Sequence, residues 1–303
     1  MSMEEFDVAV IGGGPAGMSA ALVLARACRR VAVFDAGEPR NRVSRAVHNF
    51  LSRDGIAPAE LREISRQQLT AYPNVTFVDS LIADAERERA GFAVVAADGT
   101  RARCRKLILA TGLVDQLPTI PGMRELYGRG VYSCPYCDGW EVRDTKLVVY
   151  ARGGAHGVKL ALELLGWSRD VVLCTDGPAT LDAECSATLE RNQIGVRQER
   201  VVSLQSEAGS LHQVVFEGGS ALATRALFVC ADGREASDLA QRLGCEGASA
   251  TTAETGRHGR VNVPGLFIVG DATREVLQVA VAAGRGCEAA IAVNAELLRE
   301  DLR

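Results

Sequence analysis

At 303 residues the chain exceeds the usual size of one hydrophobic core, so two domains are expected. Its 34 Lys and Arg against 38 Asp and Glu leave a net charge of −4 with no basic run, which argues against a nucleic-acid or membrane-surface role and leaves a small molecule or a protein as partner. No apolar stretch approaches a membrane span, the opening Met-Ser-Met-Glu-Glu lacks a basic start and cleavage site, and nine cysteines at irregular spacing fit a reducing compartment; a cytoplasmic protein is the expectation.

The first element is a short apolar, β-rich run over residues 6–11. Gly12-Gly13-Gly14-Pro15-Ala16-Gly17 then opens an apolar helix over 18–28. This is a dinucleotide fingerprint in its proper context: Gly12 makes the tight turn, Gly14 lets backbone approach a pyrophosphate, and Gly17 allows helix and strand to pack closely. A second strand over 30–34 ends in Asp35, at the offset where an acid accepts hydrogen bonds from a ribose. Further on, 75–78 and 92–96 read as strands of a β-rich insertion, and the strand beginning at Lys106 runs into Ala110-Thr111-Gly112. Pro118, Pro121 and Gly122 mark a first crossover between domains.

Cys134-Pro135-Tyr136-Cys137-Asp138-Gly139 follows. Two thiols at this spacing can close a disulfide within one turn, and a helix start lowers the pKa of one sulfur, so the pair can cycle between dithiol and disulfide. Asp138 stands where a proton could be delivered; as part of Asp-Gly it could equally be a turn residue. Half of a zinc site is the competing reading, but no second C-x-x-C exists, Cys174 and Cys185 are too far apart for a knuckle, and His156 and His212 stand alone. No metal is expected. Most other cysteines, Cys28 and Cys230 among them, fall in apolar runs and read as small core residues.

The pattern then partly repeats: a strand over 146–150, an apolar helix over about 157–165, and a strand over 170–174 ending in Thr175-Asp176-Gly177-Pro178. Aligned on the first site, the glycine positions fall on Ala151, Gly153 and His156; shifting the register brings in Gly157 but does not restore GxGxxG. Side chains at the first and third positions crowd the turn and the helix–strand contact. Asp176 would repel a 2′-phosphate, which disfavours NADPH, and could hold a ribose diol instead. Trp140 and Trp167 could stack on a flat ring in this domain, though each fits a core or interface role. Residues 244–247 lie near the second crossover, Gly265-Leu266-Phe267-Ile268-Val269-Gly270-Asp271 forms a late strand and turn, and a helix over 278–290 carries Gly284 and Gly286.

The expected fold class is α/β, with two Rossmann-like dinucleotide-binding domains on central parallel sheets. The first domain is discontinuous, 1–114 and 246–303, and the second is 115–245.

From the first fingerprint, the Ala110-Thr111-Gly112 turn, the Gly270-Asp271 element and the cysteine pair together, the whole chain resembles the low-molecular-weight thioredoxin reductases, a branch of the two-dinucleotide flavoproteins. The stretch 49–61, from Asn49-Phe50-Leu51 through Asp54-Gly55, also resembles that family's loop beside the flavin. The resemblance implies FAD held by Gly12, Gly14, Pro15, Ala16, Gly17, Asp35, Asn49, Ala110, Thr111, Gly112, Gly270, Asp271, Gln278 and Val279. It further implies a homodimer, a redox pair Cys134 and Cys137 with Asp138 managing protons, Cys137 on the flavin side and Cys134 on the substrate side. The substrate would be a thioredoxin-like protein or a small disulfide or dithiol. Two departures stand out: the damaged second fingerprint, and Leu277-Gln278-Val279 where the family carries Arg-Gln-Ala. They leave three readings of the middle domain open. It binds NAD(P)H through atypical contacts; it has lost that site, with ferredoxin or a second flavin as donor; or the enzyme oxidises dithiols and passes electrons to oxygen. A non-catalytic flavin redox sensor is the alternative of another class.

Overall fold

The computed structural model describes residues 4–152, 154–178, 181–246, 255–273 and 276–303. The chain forms two units: Met1–Arg42, Asn49–Val114 and Gly233–Arg303 make the first, Val43–His48 and Asp115–Asp232 the second.

Unit 1 begins with β1 (Glu4–Ile11), α1 (Pro15–Arg26) and β2 (Val31–Phe34), followed by α2 (Pro58–Thr70), β3 (Val75–Val78), β4 (Ile82–Glu88), β5 (Gly91–Ala96) and β6 (Arg101–Leu109). All of β2 and the C-terminal half of β1 are buried, as expected of apolar strands covered on both faces of a parallel sheet. β1 lies between β2 and β6, parallel to both, with Val8 opposite Val31 and Ile11 opposite Phe34. The strand order is β3-β2-β1-β6-β5-β4. Val75–Val78 is thus not part of an insertion: it pairs in parallel with β2, Val31 opposite Val75, as the third strand of the doubly wound sheet. Three of its four residues are apolar, a run too short for pattern alone to separate it from a hairpin strand; the preceding α2 supplies the crossover that parallel pairing needs. Residues 92–96 do fall in an antiparallel hairpin, β4 with β5.

α1 starts with Pro15 at its first turn and buries Ala16, Gly17, Met18, Ala20, Ala21, Leu24 and Ala25. Pro there costs nothing because that N–H would lack a helical partner anyway. This face of small residues lets the long C-terminal helix come close. A Cβ on Gly286 would run into the Ala16 carbonyl oxygen.

The chain leaves unit 1 through β7 (Leu113–Gln116). Unit 2 contains β8 (Val131–Tyr132), α3 (Pro135–Asp138), β9 (Leu147–Tyr150), α4 (Gly154–Leu164), β10 (Val171–Cys174), α5 (Ala183–Arg191) and β11 (Gly195–Arg197). It continues through β12 (Val201–Glu207), β13 (Ser210–Phe216), β14 (Ala221–Ala223) and β15 (Ala226–Val229). Five strands form a parallel sheet ordered β11-β10-β9-β15-β8, and β12-β13-β14 make an antiparallel layer. The return to unit 1 falls at Gly233, within β16 (Asp232–Glu235), ahead of residues 244–247, of which Gly247 lies outside the described residues. Then come α6 (Leu239–Arg242), β17 (Leu266–Ile268), which adds to β6, and α7 (Val279–Asp301), the long helix that carries Gly286.

Two cysteines read as core residues are not. Cys28 and Cys230 are exposed. Cys28 sits just past the end of α1 with φ of 60°, and Cys230 follows the last buried residue of β15, so each lies at the boundary where an apolar run meets solvent. Cys104 and Cys174 are buried, and burial pushes both thiols up to about 12, which leaves them inert at neutral pH. Among the described residues, no helix is long and apolar enough to cross a membrane.

The α1–α7 contact predicts the behaviour of Gly286→Val. Overpacking there should cost about 1–3 kcal/mol, lower the melting temperature and weaken flavin retention, whereas Gly284→Val, at a position with open space around it, should leave both near wild type. Thermal unfolding and flavin content after gel filtration check this.

Candidate active site

In unit 1 the turn between β1 and α1 is built so that nothing projects into it. Gly12 has φ of +111°, and a Cβ there would strike the Ala110 carbonyl oxygen; a Cβ on Gly17 would strike the Gly12 carbonyl oxygen. Around Gly14 there is no atom within 4 Å of where a Cβ would be. Gly14 is also the N-cap of α1, no side chain caps this end, and its first turn holds no acid. Free amide N–H groups at a 12-residue helix opening on bare space can take a pyrophosphate.

The other expected flavin-side residues gather in this unit. Asp35 lies against Gly13, where even a methyl group would collide with its carboxylate. Its Oδ1 accepts from the Gly37 backbone N–H at 3.2 Å, and its Oδ2 accepts twice from Arg62, at 3.0 and 2.5 Å. Ala110 to Gly112 follow β6 directly, with Gly112 at φ of +72°. Asn49, itself left-handed at φ of 63°, donates through Nδ2 to Gln278 Oε1 at 3.4 Å. Gln278 caps α7 and Val279 begins it. Asp271 pairs with Arg40 at 3.1 Å. This arginine is brought in from the segment after β2. Nothing in the local sequence of Arg40 or Arg62 announced either contact. The cradle that a Cβ would fill, the uncapped helix end and the acid beside the turn all fit FAD.

Unit 2 carries the redox motif. Cys134 and Cys137 form a disulfide with 5.3 Å between their Cα atoms. Cys134 is the N-cap of α3, and its Sγ accepts from the Cys137 backbone N–H at 3.2 Å. Hydrogen bonding from an amide favours thiolate character on Cys134 once the pair is reduced. Ser133, just before the pair, has its hydroxyl 3.0 Å from that of Tyr127, which donates to Asp115 at 2.8 Å.

Asp138 closes α3 and is partly buried. Burial pushes its carboxyl up to about 6; nearby Glu141 pushes the same way, and His48 opposes. His48 belongs to the Val43–His48 segment, which groups with unit 2, and its Nε2 lies 3.5 Å from Glu141 Oε1. Both tryptophans lie beside this motif. Trp140 is exposed, with the Arg143 guanidinium 3.8 Å from its ring centre. Trp167 meets Tyr136 edge-on at 5.4 Å, and its indole lies close to where a Gly139 Cβ would be.

The second nucleotide-type turn follows β9. Ala151 is buried at the first glycine position, and Gly153 lies outside the described residues. The residue that packs against this turn is Gly157, whose Cβ would come within 2.6 Å of the Ala151 Cβ; His156, aligned there by spacing, is exposed. The packing glycine thus falls one position later than Gly17 does in the first turn, although both helices open at the same distance from their strands, and the glycine that helix–strand packing needs is present.

Asp176 is already engaged. Its Oδ2 accepts from the Tyr150 hydroxyl at 2.7 Å and from Arg152 Nε at 3.0 Å, and its Oδ1 accepts from the Val201 N–H at 2.8 Å. The side chain is 5% exposed. Burial opposes ionisation, yet these three hydrogen bonds hold the carboxyl below its usual range. Asp35 also has an arginine partner, but Arg62 comes from α2 and leaves the glycine turn bare. Arg152 stands in the turn itself.

The family profile described as pyridine nucleotide-disulphide oxidoreductase matches residues 6–286. The chain is 32% identical to the thioredoxin reductase tcpT of Claviceps purpurea over 278 residues, 88% of this chain and 86% of that protein. Among solved structures it superposes with a TM-score of 0.93 on a Bacillus anthracis chain described as a candidate thioredoxin reductase, TrxB, at 34% identity over 98% of this chain and 99% of that one. The protein HlmI matches with the same TM-score at 39% identity, over 98% and 94% of the two chains.

The raised Asp138 carboxyl carries a linkage consequence. Its folded pKa lies above the unfolded value of 3.8, so the folded protein binds the extra proton between those values. Asp138 therefore costs stability as pH rises from about 4 through about 6, on the order of 1–3 kcal/mol by pH 7. Asp138→Asn should melt higher than wild type at pH 7–8, with the difference fading below about pH 4; thermal unfolding of the oxidised protein across that range checks this.

Proposed function

The chain belongs to the pyridine nucleotide-disulphide oxidoreductase family, as a thioredoxin reductase-like flavoprotein oxidoreductase whose cofactor is FAD, and from that premise we propose an FAD-dependent disulfide oxidoreductase without tight NADPH binding. Electrons pass between flavin and the Cys134–Cys137 pair, and between the pair and a protein or small-molecule disulfide or dithiol. The observation that carries this reading is the Tyr150–Arg152–Asp176 cluster. It ties the acid just past β10 to groups of β9 and of the turn itself, whereas Asp35 is held from outside its glycine turn, by Arg62 of α2. Binding a nicotinamide dinucleotide there would mean breaking hydrogen bonds to a nearly buried carboxylate.

In unit 1, the α1 N-terminus with Gly12, Gly14 and Gly17 would hold the FAD pyrophosphate, Asp35 the adenosine ribose, and Asp271, Gln278 and Val279 the flavin end. Bound FAD supplies two-electron transfer; the protein's own groups handle sulfur and protons. A thiolate attacks a disulfide sulfur, a second thiolate leaves, and Asp138 takes or gives the proton. Cys134 accepts the Cys137 amide N–H, which suits it to meet substrate as a thiolate, with Cys137 facing the flavin. Ile291 and Leu298, seven residues apart on one exposed side of α7, support a homodimer.

Anaerobic mixing tests the reading. Neither NADPH nor NADH should bleach the flavin rapidly, while a small dithiol should, and Cys137→Ser should keep its flavin yet lose dithiol turnover by at least about a thousandfold. Rapid bleaching by either nicotinamide with one FAD per chain would make this a conventional NAD(P)H-dependent reductase. Unchanged turnover in Cys137→Ser would remove the pair from the mechanism.

A further inference from the structure

Three titratable groups from two separate stretches of chain meet beside the redox disulfide. Asp138 ends α3, and Glu141 follows three residues later, after the helix passes into a short 3-10 turn over Trp140–Val142. Three residues apart on a helical path places both carboxyls on one side. The third group arrives from far away in sequence. The Val43–His48 segment lies on unit 2, with Val47 buried, Arg45 donating to Ser210 Oγ at 3.1 Å, and the Val43 carbonyl packed against Gly128. It delivers the His48 imidazole to within 3.5 Å of Glu141.

We propose that His48 and Glu141, paired with each other at 3.5 Å, are positioning residues for Asp138, the group that exchanges protons with the redox thiols. This rests on the reading of Cys134 and Cys137 as an exchanging pair. Among the described residues, the Tyr132 hydroxyl on β8 also feels Asp138 and Glu141, and Arg45 acts on Tyr132 with the opposite sign. Neither of these acts directly against the effect of burial and Glu141 on Asp138; His48 does. A cationic His48 favours the ionised form of Asp138, and Glu141 disfavours it. Unaided burial would leave Asp138 protonated further toward neutral pH, where it could not accept a thiol proton.

The step affected balances within the protein and its substrate. The reduced pair carries two thiols. As one attacks a substrate disulfide its proton passes to the Asp138 carboxylate, a new S–S bond forms, the substrate S–S bond breaks, and one substrate thiolate leaves. The second thiol, deprotonated in turn, attacks the mixed disulfide, closes the Cys134–Cys137 bond and releases the other substrate thiolate. Two electrons move from the pair to the substrate, and two protons leave by way of Asp138.

The experiment uses the flavin-loaded protein with its pair reduced, mixed anaerobically with a chromogenic aromatic disulfide that needs no nicotinamide. Release of the coloured thiolate is timed from about pH 5 to 9. The Cys134→Ser/Cys137→Ser double variant gives the background from exposed Cys28 and Cys230. Wild type should show an acid limb near pH 6, where Asp138 ionises. His48→Gln should move that limb to higher pH and Glu141→Gln to lower pH, each by at least about 0.3 unit, equivalent to a twofold change in proton affinity. His48→Lys, which keeps a cation, should return the limb to wild type or below it, and Asp138→Asn should abolish it. A structural role alone would slow both variants without displacing the limb in opposite directions. Limbs that stay in place, or move the same way, overturn the proposal while leaving the exchanging pair intact. A wild-type time course no faster than the double-serine background overturns both.

Discussion

Backbone meeting backbone with no side chain between is the constraint on which the nucleotide face of unit 1 depends. α1 can start at the end of β1 only because Gly17 lets the helix lie on the Gly12 carbonyl, and α7 can lie on α1 only because Gly286 does the same at Ala16. Each contact removes room that a methyl group would need, so the stability of the layer and the vacancy at its edge have one origin. The parallel strands β1, β2 and β6 place their C-terminal ends together there, and an uncapped helix of 12 residues aims its amides into the opening. Binding capacity is thus a by-product of packing geometry: the residues that would fill the turn are the ones that packing forbids.

Unit 2 repeats the topology and reaches a different chemical result. Its helix–strand contact is satisfied by Gly157 against Ala151, so the layer packs soundly without a full glycine fingerprint. Arg152 stands in the turn between β9 and α4, and it finds Asp176 just past β10 and Tyr150 at the end of β9. A carboxylate with 5% exposure needs partners whatever else it does. Once Tyr150, Arg152 and the Val201 amide supply them, a ribose has little to gain by displacing any one. The same fold therefore presents an open anion site in one unit and an internally neutralised acid in the other.

The redox motif shows a balance of opposing effects on one carboxyl. Burial and a neighbouring carboxylate favour the protonated acid, and a facing imidazole favours the anion; burial is the largest of these, which is why the group sits near 6 instead of its usual range. A proton carrier is useful to thiol chemistry only if it can both accept and release near ambient pH. Asp138 meets that condition through neighbours drawn from its own helical turn and from a segment more than eighty residues earlier in the chain.

What the sequence by itself determined were the features carried by covalent neighbours. The glycine turn, the spacing of Cys134 and Cys137, the Ala110–Gly112 and Gly270–Asp271 elements and the apolar strands around them are short patterns whose meaning hardly depends on the rest of the fold, and they were legible as such. Tertiary structure decided which partner each side chain found. It put Val75–Val78 in the main sheet, left Cys28 and Cys230 in solvent, chose Gly157 over His156 as the packing residue, tied Asp176 to Arg152 and Tyr150, and brought Arg40 to Asp271 and His48 to Glu141. The physical reason is range. Turn and helix preferences are settled within a few residues, whereas a hydrogen bond or ion pair between distant segments depends on ångström-scale register, which only the assembled sheets and helices set.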